Sequence, residues 1–106
     1  MSTNRISVSS LKRKYPHPVR AMGSKYDDYC VGGALCVEVG LTACLFPSEY
    51  QLKEAALKAN RRLDWNTMSD SERDEFYSTV TCVLKANDVG SFELAWKALG
   101  KLLHWK

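Results

Sequence analysis

No acidic residue occurs among the first 26 positions of this 106-residue chain, and a single charge, Glu38, interrupts residues 29–46. Histidine is confined to His17 and His104, and neither a Cys-x-x-Cys nor a closely spaced histidine pair occurs, so nothing has the ligand spacing of a structural zinc site. The opening residues lack the apolar core of a secretory signal. Cys30, Cys36, Cys44 and Cys82 are therefore expected to be reduced thiols in a cytoplasmic protein. Residues 29–46 only just reach the length of a membrane span, and Glu38, Gly32, Gly33, Gly40 and the following Pro47 argue against one.

What is present fits one domain, with room for a real core and little for a second. A hydrophobic content of 45% with 25% charged residues excludes the low-hydrophobicity, high-charge regime of disorder. The net charge of +3 conceals a division. Residues 1–26 carry Arg5, Lys12, Arg13, Lys14, Arg20 and Lys25, a charge of +6, while residues 27–106 sum to −3. The expectation is a basic arm over residues 1–26 and a helical domain over 27–106, the arm seeking either a polyanion or its own acidic body. Its first ten residues show no periodicity, and Pro16 and Pro18 around His17 favour extended backbone.

Asp27 and Asp28 are expected to cap a helix beginning near Tyr29, with Gly40 ending it in a left-handed cap. Apolar residues lie nearly all round this helix, which places it at the centre of the fold. The period-two alternation of Leu35, Val37, Val39 and Leu41 leaves a hairpin, residues 34–39 against 41–46, as the alternative. Gly32 and Gly33 each cost about 1 kcal/mol inside a helix, so they point to close approach by another helix or by a ligand.

Two capping boxes, Ser48 with Gln51 and Ser69 with Glu72, open the next two helices. The first turns Leu52, Ala55, Ala56, Ala59 and Leu63 inward and Lys53, Glu54, Lys58, Arg61 and Arg62 outward. The second carries Phe76, Val80 and Val83 and is expected to end at Asn87. Ser91 is expected to cap the last helix, whose stripe is Phe92, Trp96, Leu99 and Leu103. The tetrapeptide LKAN occurs at residues 57–60 and 84–87 and reads as helix C-terminal chemistry in preference to a duplication. The expected architecture is all-α: a compact bundle of four main helices around the central apolar one, with an extended basic N-terminal arm.

Few residues invite chemistry. Cys30 falls in the first turn of a helix, where the dipole lowers a thiol pKa, but neither histidine is placed to serve it, and buried cysteine is common as a small hydrophobe. Glu38 is expected to mark the one exposed edge of its helix; if buried, it needs a cationic or hydrogen-bonding partner, for which Arg20 or Lys25 are the candidates. Cys30, Gly32, Gly33 and Glu38 together define a close-packing or ligand site. Lys12, Arg13, Lys14, Tyr15 and Arg20 mix cations with an aromatic ring, as nucleic-acid contacts do.

The segments YCVGGAL, FPSEYQL, LKAN, KANDVG and AWKALGKLL give residues 29–103 a pattern that resembles a loosely defined family of small helical bacterial and phage proteins of unknown function. In that family an aromatic-Cys-x-Gly-Ala-Leu turn opens a helix and an Asn-Asp element precedes the last one. The paired Gly32 and Gly33 and the basic arm depart from it. The resemblance implies a helical domain and no activity. The expected function is a small non-enzymatic protein-interaction module of a phage or mobile element, binding and modulating a host complex. A small nucleic-acid-binding protein using the arm is the alternative; neither reading involves a cofactor, a metal or a membrane.

Overall fold

Helices account for all the regular structure among the described residues of the computed structural model, 6–20, 29–41 and 46–105, and no strand occurs there. They are α1 (Val8–Lys14), α2 (Val31–Glu38), α3 (Glu49–Ala59), α4 (Asp70–Asp88) and α5 (Phe92–Leu103), with a 3-10 turn at Trp65–Thr67 before α4. No helix among the described residues is long and apolar enough to cross a membrane.

Local chemistry sets most of the boundaries. Ser48 and Ser69 each accept the backbone N–H three residues on, and Gln51 and Glu72 return the bond to the N-cap N–H, which satisfies two orphan donors at each helix start. Gly40 and Gly90 take positive φ values of 93° and 81°. Each closes a Schellman end: Leu41 N–H donates to the Cys36 carbonyl at 2.8 Å, and Ser91 N–H donates to the Ala86 carbonyl at 2.8 Å. Ser91 occupies the N-cap position of α5 without a side-chain capping bond, contrary to the expectation, its backbone at φ −86°, ψ 67° lying outside the extended region that the capping serines Ser7, Ser48 and Ser69 adopt; α4 ends one residue beyond Asn87.

The core is one cluster. Phe76, Val80 and Val83 of α4 meet Ala95, Trp96, Leu99 and Leu102 of α5, while Leu52, Ala55 and Ala56 of α3 close a third side. Val31, Ala34, Leu35 and Cys36 of α2 are fully buried among them, and α2 contacts α3, α4 and α5. Helix thus prevails over hairpin for Val31–Glu38. Residues 42–45 of the proposed second strand lie outside the described residues, as do Cys44 and the expected caps Asp27 and Asp28. Cys30 is the N-cap instead.

The extended arm is corrected over Val8–Lys14, which is helical. Ser7 and Ser10 form a reciprocal capping box, and Leu11 is 1% exposed, a burial worth about 1.5–3 kcal/mol. The helix stops where it must, since Tyr15 precedes Pro16 and is held out of the helical region at φ −127°, ψ 70°. α1 packs on α5 because Gly100 admits it: a Cβ there would stand 3.2 Å from Val8 Cγ2.

Candidate functional site

The basic N-terminal segment is fastened to the acidic body at several points. Lys12 Nζ lies 3.6 Å from Glu93 at the start of α5, and Lys14 Nζ lies 3.0 Å from Glu38 at the end of α2. The Tyr15 hydroxyl donates to the same Glu38 Oε1 at 3.2 Å, while its ring packs edge-on against Tyr29 at 4.9 Å. Glu38 is thus half-buried with a cation beside it, but the partners are Lys14 and Tyr15; Lys25 lies outside the described residues. The hydrogen bond and charge of Glu38 raise the Lys14 pKa above its ordinary value. Burial, followed by the Glu38 charge, raises Tyr15. Arg20 Nε donates to the Asp88 carbonyl at 2.7 Å, where the C-terminal end of α4 favours a cation. Arg13 is exposed. Singly such solvent-screened pairs contribute little. Their importance is directional, since they commit Lys12, Lys14 and Arg20 to the chain's own acceptors.

Behind this segment the start of α2 is tied to the end of α4. Asn87, 1% exposed, accepts the Val31 N–H at 2.9 Å and donates through Nδ2 to the Val19 carbonyl at 3.2 Å. Val19 N–H in turn donates to the Tyr29 carbonyl at 2.8 Å. One amide side chain therefore joins three stretches of chain.

Cys30 sits inside this knot, with its Sγ accepting the Gly33 N–H at 3.2 Å. Burial pushes its thiol up and outweighs the downward pull of the Gly33, Gly32 and Cys30 backbone N–H groups. The thiol is therefore protonated at neutral pH, and both histidines are exposed. A half-open pocket of about 220 Å³, walled by Cys30, Phe46, Pro47, Leu84, Asn87 and Asp88, adjoins it. Among the described residues no group of three side chains is placed to hold a metal ion.

Gly32 and Gly33 are both buried. A Cβ on Gly32 would meet Leu52 Cδ2 at 3.3 Å, Leu84 Cδ2 at 3.4 Å and Pro47 Cγ at 3.4 Å. What approaches Gly32 is therefore a side chain each from α3 and α4, together with Pro47 just before α3.

Three residues important to the structure were not singled out by the sequence. Asn60 donates to the Leu102 and Trp105 carbonyls at 3.2 and 3.0 Å and accepts the Arg62 N–H at 3.3 Å. Asn87 makes the knot described above. The signal for both was the LKAN repeat, whose asparagines bind distant backbone. Lys53, expected to point outward, is 8% exposed. Its Nζ lies over the Tyr50 and Trp65 rings at 4.7 and 4.6 Å and 3.2 Å from Glu54. The cation–π contacts offset what a buried ammonium costs.

No family model matches the chain, and neither a curated protein nor a solved structure matches it.

Proposed function

We propose that this is a small non-enzymatic interaction module, of the kind that phages and mobile elements encode to bind and modulate host complexes. In this reading the four longer helices are the body and the basic N-terminal segment is a strap across it. The observation that carries the reading is the commitment of Lys12, Lys14 and Arg20 to Glu93, Glu38 and the Asp88 carbonyl. A nucleic acid would have to displace contacts that are always present at high effective concentration, which weighs against the alternative of a phosphate-binding arm. The protonated, buried state of Cys30 likewise weighs against thiol chemistry.

A pull-down from lysate with and without nuclease tests this reading. The expected result is a protein partner retained after nuclease treatment and retained by a Lys12→Ser, Lys14→Ser variant. Loss of every captured protein on nuclease treatment, together with salt-steep oligonucleotide binding that the same substitutions abolish, would transfer the function to nucleic acid.

A further inference from the structure

Where α3 runs out, three cations stand exposed: Lys58 in the last turn, then Arg61 and Arg62 beyond it. The macrodipole accounts for a cation in the last turn, but its effect fades within that turn, so it leaves the two arginines unexplained. Neither guanidinium forms an ion pair or donates a hydrogen bond among the described residues, whereas Arg20 and Arg73 both donate to backbone carbonyls. The nearest carboxylate along the loop, Asp64, is turned onto the Asn66 N–H at 3.0 Å. The turn is also pinned, because Asn60 binds the Arg62 N–H on one side and the Leu102 and Trp105 carbonyls on the other. Two exposed, uncommitted guanidiniums on a pinned backbone turn suit carboxylates, which the planar fork binds bidentately.

We propose that this corner is where the module docks its partner, and that the occupant is a short acidic segment of another protein; the inference rests on the interaction reading above. One observation favours a protein over a nucleic acid here. Trp65, the aromatic next to the corner, is already stacked with Lys53 at 4.6 Å and Arg73 at 5.6 Å, so it offers little to a base.

The probes are a fluorescent oligoglutamate peptide and a fluorescent oligothymidylate of equal charge, titrated by anisotropy into the full chain at low and moderate salt. Oligoglutamate is expected to bind more tightly than oligothymidylate and to weaken at least about tenfold for Arg61→Ser, Arg62→Ser. The Lys12→Ser, Lys14→Ser variant should bind like the parent. Absence of oligoglutamate binding, equal binding by the arginine variant, or tighter binding of oligothymidylate each overturns the inference. A partner that survives nuclease and holds the arginine variant undiminished overturns this placement alone. Loss of all captured protein on nuclease treatment overturns the interaction reading itself.

Discussion

Asn87 satisfies the first N–H of α2 and the Val19 carbonyl with one side chain, so its removal leaves a buried donor and a part-buried acceptor without their partner. Asn87→Ala is expected to lower the unfolding free energy by about 1–3 kcal/mol in denaturant melts, the cost of leaving buried groups unpaired. The cysteines differ among themselves for a related reason. Cys82 is exposed on α4, while Cys30 and Cys36 are buried. Alkylation of the native protein, read by mass spectrometry, should modify Cys82 first and the buried two only on unfolding; fast labelling of Cys30 would revive it as a nucleophile. The pH dependence follows from the direction of its shift. A thiol pKa raised on folding contributes stability that is complete below the ordinary thiol pKa and is lost as pH rises through the raised folded value, so the midpoint of unfolding should fall on the alkaline side.

At the scale of elements, α2 is short, and its position depends on what fits over Gly32. Gly32→Leu would drive a side chain into Leu52, Leu84 and Pro47 and is expected to destabilise by about 1–3 kcal/mol, even though leucine suits a helix better than glycine. A neutral melt would mean that the contact yields. The starts of α3 and α4 were legible because a serine with a glutamine or glutamate three residues on is a local signal that needs no tertiary information. The start of α1 was not, because Ser7 and Ser10 close the same box with two serines in a polar run that lacks apolar periodicity. Lys53 was misplaced because its burial depends on Trp65, which the loop folds back over it, a contact no helical spacing encodes. Of the candidate site, Glu38 stood out by its isolation in an apolar stretch, but its pairing with an arm cation was only the alternative to an exposed helix edge, because that contact depends on the helical geometry of α1.

At the scale of the whole molecule, the sequence's charge partition, +6 over residues 1–26 and −3 over the remainder, corresponds in the fold to cations of the first segment resting on acceptors of the second. The ionic ties alone are weak. The burial of Leu11 and the fit of Val8 over Gly100 make the segment part of the body and leave the ion pairs to set its register. Native-state amide hydrogen exchange tests this most directly, read at Tyr15, which donates to Leu11, and at Val19, which donates to Tyr29. Both amides should be protected, exchanging along with the core helices. Exchange of both at the rate of an unstructured chain, while α4 and α5 stay protected, would contradict the account and return the segment to a detached basic arm.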